Sequence, residues 1–121
     1  MGDLLVRTHK DLEVWNLAMN LAEQVYGLSS NFPKNEAFGL VQQMRRSAVS
    51  VPSNIAEGAA RQSTKEFIQF FSISMGSLSE LETQLMLSQR LHYVSDEIIL
   101  ELLILVRKHI IGLMTSLKKR L

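Results

Sequence analysis

The spacing of apolar residues constrains the fold of this chain more than any other feature. Long apolar patterns advance in steps of three and four residues, and no stretch keeps up the alternation of period two that marks a strand. The 121 residues include only two prolines. The pattern predicts four helices, near residues 10–28, 35–60, 63–91 and 95–119.

Four helices of comparable length joined by short turns are typical of an antiparallel up-down-up-down four-helix bundle. A chain of 121 residues is long enough to bury a core as one domain. Its composition, 46% hydrophobic and 21% charged, is that of a globular protein and is too apolar for a disordered one. We therefore predict an all-α protein in which residues 1–121 form a single four-helix-bundle domain.

Apolar residues of the first helix define the face that we expect to enter the core. Steps of three and four place one group on a single face: Leu12, Trp15, Met19, Ala22 and Tyr26. A second group widens this face: Val14, Ala18, Leu21 and Val25. We expect both groups to be buried.

Local signals predict a kink in the second helix and the start of the third. Pro52 lies within the second helix, where it removes the hydrogen bond to the Ala48 carbonyl and crowds the preceding turn. Because the apolar register continues across it, we predict a kink at Pro52 and no break. Ser63 and Glu66 form a capping box at the start of the third helix.

The fourth helix carries two apolar stripes, which is more apolar surface than one bundle core requires. The first stripe is Leu103, Val106, Ile110, Leu113 and Leu117. The second is Leu100, Ile104, Ile111 and Met114. A membrane span is not expected, because Glu101, Arg107, Lys108 and His109 interrupt the segment and central charges are costly in lipid. We predict that the second stripe is an oligomer interface.

Several kinds of chemistry are excluded or disfavoured by the residue types present. The chain has no cysteine, which excludes disulfides, thiol catalysis and zinc–thiolate sites. Its three histidines are scattered, and it contains neither H-E-x-x-H nor Glu-x-x-His, the pairs that zincins and di-iron bundles use. Neither a P-loop nor a G-x-S-x-G elbow occurs. We expect a non-enzymatic protein without a cofactor or metal.

A polar stripe runs beside the apolar face of the second helix, and the third helix faces it with polar groups of its own. The predicted polar network comprises Arg46, Ser50, Asn54, Glu57, Arg61, Ser77 and Glu80. It is either a binding or assembly surface, or a partly buried set whose members satisfy one another and fix helix register. The second interpretation predicts that Glu57→Ala is strongly destabilising. Gly76, a poor helix former, is expected to mark close helix packing.

Charge is distributed unevenly along the chain. Residues 1–101 hold 8 Lys/Arg and 12 Asp/Glu, a net charge of −4, whereas residues 102–121 hold 5 Lys/Arg and no acid, a net charge of +5. The basic residues of this end are Arg107, Lys108, Lys118, Lys119 and Arg120. They are candidate contacts for nucleic acid. The alternative is that they complement the dipole at the end of a helix.

Several stretches together resemble the bacterial four-helix-bundle proteins encoded in intervening sequences of 23S rRNA genes, also called S23 ribosomal protein-like. The stretches are residues 9–15, Phe32-Pro33, residues 43–58, Arg61 and residues 76–82. The accessory variability determinant of diversity-generating retroelements looks like a relative. The resemblance implies a ring-like homopentamer and, for the retroelement relative, a basic surface that engages nucleic acid and a reverse transcriptase.

Three functions follow as hypotheses. The first is a non-enzymatic oligomeric adaptor that binds structured RNA or DNA. The second is a protein–protein interaction module without nucleic-acid binding. The third is a small-molecule binder that uses Arg46, Ser50, Asn54 and Glu57. Residues 1–10 lack the apolar core of a signal peptide, so we expect a cytoplasmic location.

Overall fold

A computed structural model describes residues 8–95 and 97–121. Within these residues all regular structure is helical: a 3₁₀ turn His9–Asp11, α1 (Glu13–Ser29), a 3₁₀ turn Lys34–Glu36, α2 (Leu40–Ala59), α3 (Thr64–Arg90) and α4 (Ile98–Lys118). Each α-helix packs against the next one in the chain, and α1 packs against α4, which closes the bundle. The prediction of an all-α four-helix bundle is confirmed.

Contacts between α2 and α3 show that these two helices are antiparallel. Ser47 contacts Gln84, Ser50 contacts Ser77, and Gly58 lies against Phe70. Residue numbers along α3 decrease as those of their contacts in α2 increase, so the two helices run in opposite directions.

The helices begin later than the periodicity predicts. Short 3₁₀ turns occupy the expected starts of α1 and α2, and α4 begins at Ile98 instead of near residue 95. Thr8 accounts for the first case, because it forms a capping box with Asp11 and so starts a separate turn. Residues 1–7 of the predicted domain, and residue 96, lie outside the described residues.

Side chains from all four helices form the core. Leu21 of α1, Met44 of α2, Phe71 of α3 and Leu103 of α4 are fully buried. The core face of α1 differs from the prediction, because Met19 is 38% and Tyr26 44% exposed. Leu12 and Ala22 of the same predicted group are buried, as expected. All of the group that was expected to widen the face is buried: Val14, Ala18, Leu21 and Val25.

The continuity of α2 and the start of α3 agree with the local signals of the sequence. Helix α2 continues through Pro52 without a break, as predicted, and the kink expected there stays a prediction. At the start of α3, the Ser63 hydroxyl oxygen accepts a hydrogen bond from the Glu66 backbone N–H at 3.1 Å and donates one to the Glu66 carboxylate at 3.0 Å. Ser63 is therefore the cap of α3. The Glu66 carboxylate bonds the Ser63 hydroxyl and not the Ser63 backbone N–H, so only half of the predicted capping box is formed.

A Schellman motif ends α3. His92 has a φ of 64°, its backbone N–H donates to Gln89, and the Tyr93 N–H donates to Ser88. The turn directs Tyr93 toward the loop between α1 and α2, where its hydroxyl donates to a Glu36 carboxylate oxygen at 3.0 Å. This hydrogen bond, together with burial and the negative charge of Glu36, raises the pKa of Tyr93. The contact joins the α1–α2 loop to the α3–α4 loop at this end of the bundle.

Gly58 marks the closest approach of α2 and α3. A Cβ atom at this position would lie 2.7 Å from the Cβ of Phe70 and 3.0 Å from Cδ1 of Phe67. Gly76 was predicted to mark close helix packing, and that prediction is wrong: it is exposed, and a Cβ there would meet nothing within 4 Å. Gly76 is on the outward side of α3, whereas Gly58 faces that helix.

We expect Gly58→Ala and Gly76→Ala to change stability in opposite directions. The new methyl group at position 58 must displace a Cβ atom that the α3 backbone holds, at a cost of about 1–3 kcal/mol. We expect this cost to exceed the gain in helix propensity of up to about 1 kcal/mol that the same substitution brings. The methyl group at position 76 enters open space and improves helix propensity by about 1 kcal/mol. Urea denaturation followed by circular dichroism measures both free energies of unfolding. Equal effects of the two substitutions would contradict this assignment.

Candidate functional site

Three members of the predicted polar network form one hydrogen-bonded group between α2 and α3. The hydroxyl oxygens of Ser50 and Ser77 are 2.8 Å apart. The Asn54 amide donates to the Ser50 hydroxyl at 3.0 Å and to the Ser50 carbonyl at 2.8 Å. All three residues are half-buried. This group connects the two helices by direct side-chain contact.

Glu57 and Arg61 form a separate pair on the surface. Their carboxylate and guanidinium are 2.7 Å apart, and the side chains are 53% and 41% exposed. The expectation that Glu57 has a buried partner is therefore wrong. The physical reason is its position next to Gly58: adjacent residues are about 100° apart around a helix, so a glycine that faces α3 turns Glu57 outward.

Arg46 and Glu80 do not join the other members of the predicted network. Arg46 is exposed and lines a shallow depression together with Tyr26 and Phe38. Glu80 is exposed and accepts one long hydrogen bond, 3.5 Å, from the Gln84 amide. Arg46 and Glu57 thus lie apart from Ser50 and Asn54, so these four side chains do not converge on one site.

The buried polar contacts between α2 and α3 involve residues that the polar stripe did not include. Ser47 donates to the Gln84 side-chain oxygen at 2.7 Å, and Ser74 donates to the Val51 carbonyl at 2.9 Å. Among the described residues, every buried side-chain nitrogen or oxygen has a hydrogen-bond partner. A signal was present in the sequence, because Ser74 lies three residues after Phe71 and four before Leu78, on the same apolar face of the third helix.

We expect Ser47→Ala to destabilise the protein more than Glu57→Ala does. Removal of the Ser47 hydroxyl leaves the buried Gln84 oxygen without that donor, at a cost of about 1–3 kcal/mol. Loss of the exposed Glu57–Arg61 pair costs about 0.5 kcal/mol. Chemical denaturation of the two variants side by side measures the difference. A larger cost for Glu57→Ala would restore the buried-network interpretation.

An apolar groove of about 630 Å³ lies between α1 and α2 on the outside of the bundle. Trp15, Met19 and Tyr26 line it from α1, and α2 contributes Val49, Pro52, Ser53 and Ala56. Because Trp15, Met19 and Tyr26 were expected to enter the core, the sequence interpretation missed the groove. We refer to it below as the α1–α2 groove.

Neighbouring polar side chains hold the aromatic walls of the α1–α2 groove in place. The His9 ring meets Trp15 edge-on, with ring centroids 4.8 Å apart. The Arg45 guanidinium lies 4.5 Å from the centre of the Tyr26 ring, and its Nε donates to the Ser29 hydroxyl at 3.0 Å. The groove therefore has walls whose positions are fixed by contacts behind them.

The four residues predicted as an oligomer interface divide into two kinds. Leu100 and Met114 are half-buried and pack against the core. Ile104 and Ile111 are 44% and 48% exposed. Arg107 lies between these isoleucines in the sequence and reaches α3, where its guanidinium is 2.9 Å from a Glu82 carboxylate oxygen. Two exposed isoleucines thus flank an ion pair that holds α4 against α3.

The five basic residues of α4 and the residues just after it also occupy different settings. Arg107 is engaged with Glu82, as described above. Lys108 is exposed on the helix surface near Ile104 and Ile111. Lys118, Lys119 and Arg120 are exposed together at the end of α4. The five cations therefore do not form one cluster.

Two features that would indicate other kinds of function are absent from the described part of the chain. It contains no group of three or more histidine, cysteine or acidic residues that could hold a metal ion. None of its helices is both long enough and apolar enough to cross a membrane.

The chain was compared with curated proteins and with models of protein families, and only the second comparison gives a match. No curated protein matches it. A family model described as 23S rRNA-intervening sequence protein matches residues 10–113, a range that contains all of α1, α2 and α3 and most of α4. The chain therefore belongs to the 23S rRNA-intervening sequence protein family.

Proposed function

We propose that the chain is a non-enzymatic subunit of a bacterial, cytoplasmic homo-oligomer, a homopentamer by resemblance, that binds structured RNA or DNA as an adaptor. The observation that carries the proposal is the exposure of Ile104 and Ile111 on α4, at 44% and 48%. Complete burial of a fully exposed isoleucine side chain is worth about 1.5–3 kcal/mol. Because each of the two is about half exposed, covering both contributes about that amount in total to an interface.

The nucleic-acid part of the proposal rests on the end of α4. Lys118, Lys119 and Arg120 are adjacent and exposed, and cations grouped in this way contact phosphates well. Arg107 is a poor candidate because it already pairs with Glu82. In a ring, one such cluster from each subunit would be repeated, and the repeated weak contacts would add to one another.

A protein–protein interaction module without nucleic-acid binding is the second candidate. The formal net charge of +1 favours it, since a protein that binds nucleic acid strongly usually carries a larger positive charge. Both candidates are homo-oligomers, and they differ in whether the basic residues at the end of α4 contact nucleic acid.

The assembly is tested by light scattering coupled to size exclusion at micromolar concentration. We expect the native chain to elute as a multiple of the subunit mass, and the variant Ile104→Glu/Ile111→Glu to elute as a folded monomer. Leu105→Glu is the matched control, since Leu105 is 40% exposed on the same helix but points about 100° away from Ile104. A native chain that is strictly monomeric would overturn the oligomer.

Nucleic-acid binding is tested by titrating a structured RNA hairpin at several salt concentrations. If three phosphates are contacted, affinity should fall roughly 40-fold between 50 and 200 mM salt. Lys118→Gln/Lys119→Gln should weaken binding and reduce the salt dependence. The control Lys34→Gln/Lys65→Gln removes the same charge from exposed positions elsewhere. Absence of binding at 50 mM salt would leave the protein-interaction module as the function.

A further inference from the structure

We infer that the subunits assemble head to tail: the α1–α2 groove of one copy receives the α4 surface of the next. That surface, called here the α4 ridge, consists of Ile104, Lys108 and Ile111. The inference rests on the proposed homo-oligomer and names the two surfaces that form its repeated interface.

The shapes of the two surfaces are complementary. The small side chains of the groove, Ala22 and Pro52, are buried, whereas Met19, Tyr26 and Val49 are 38–44% exposed. The buried small side chains form the floor of the groove and the protruding large ones form its walls, so the side chains of another helix can pack between them.

The lengths of the two surfaces also agree. Trp15 and Tyr26 mark the extent of the groove along α1, eleven residues apart, or about 16 Å. Ile104 and Ile111 are seven residues apart, or about 10 Å. The α4 ridge therefore fits within the length of the groove.

The two surfaces lie on opposite sides of the subunit. Ile104 and Ile111 are three residues before and four residues after Arg107, so all three share one face of α4, and Arg107 contacts Glu82 of α3. The α4 ridge thus belongs to the α3–α4 side. In a bundle whose neighbours follow chain order, that side is opposite the α1–α2 side.

The charges on the two surfaces are complementary as well. Glu23 lines the groove, and Lys108 lies between the two isoleucines of the ridge. Within the described residues, neither side chain has an ion-pair partner in its own subunit. Contact between copies would bring the two together, whereas contact of ridge with ridge would oppose Lys108 to another Lys108.

The distribution of charge along the chain also favours the head-to-tail arrangement. Residues 102–121 carry a net charge of +5 and residues 1–101 a net charge of −4. A head-to-tail arrangement places the basic helix of one copy against the acidic remainder of the next. An interface between two different surfaces of one chain repeats from copy to copy and can close into a ring.

Mixing two variants tests this arrangement. The ridge variant Ile104→Glu/Ile111→Glu keeps an intact groove, and the groove variant Met19→Glu/Val49→Glu keeps an intact ridge. All four positions are at least 38% exposed, so the substitutions should leave each subunit folded. We expect each variant alone to be monomeric and a 1:1 mixture to form a heterodimer in light scattering. Two monomers in the mixture, or assembly of either variant alone, would overturn the inference.

Disulfide trapping covers the case in which a single interface is too weak to isolate. The chain has no cysteine of its own, and α2 and α4 make no contact with each other, so Val49→Cys and Ile104→Cys cannot be joined within one subunit. Oxidation of the double variant should produce a series of covalent multimers. Either single variant should give none, and multimers absent from the oxidised double variant would overturn the inference.

The result for the native chain separates the two proposals. A monomeric native chain would overturn the proposed function and this inference together. A native oligomer whose variants fail to form the heterodimer and the covalent series would overturn only the head-to-tail arrangement. In that case the groove would remain free for a different occupant, such as a small apolar ligand.

Discussion

The contact between α2 and α3 is the interaction on which the remaining structure depends. The two helices approach so closely at Gly58 that a single Cβ atom would lie 2.7 Å from Phe70. Only a short turn separates them, and Ser63 caps the second helix of the pair. Because this pair is held tightly, α1 and α4 pack on a surface whose shape is already set.

Small polar side chains determine how this pair is aligned along its length. Apolar side chains tolerate a shift along a neighbouring helix, but a hydrogen bond of 2.7 Å such as Ser47–Gln84 does not. Ser50–Ser77 and the Ser74–Val51 contact repeat the constraint at other levels. The alignment of α2 and α3 in turn fixes the outer surfaces that the bundle presents.

The periodicity of the sequence is sufficient to predict the four helices, their type and their order, because burial of one apolar face is what makes a helix stable in a bundle. It does not predict which of two adjacent faces is buried. In α1 the face containing Met19 and Tyr26 is also apolar, and the positions of α2 and α4 decide which face is buried. Gly58 and Gly76 illustrate the same limit, since one residue type serves close packing at one position and faces open space at the other.

The ion pair between Arg107 and Glu82 has a consequence for the size of the proposed ring. The pair is half-buried and, together with the buried apolar face of α4, holds that helix at one rotation about its own axis relative to α3. In a head-to-tail assembly, that rotation determines the direction in which the next subunit leaves, and a constant turn per subunit determines how many copies complete a circle. A turn that does not divide a full circle evenly produces a helical filament instead. In the proposed assembly, an ion pair inside each subunit would thus help to determine whether the copies close into a ring or extend as a filament.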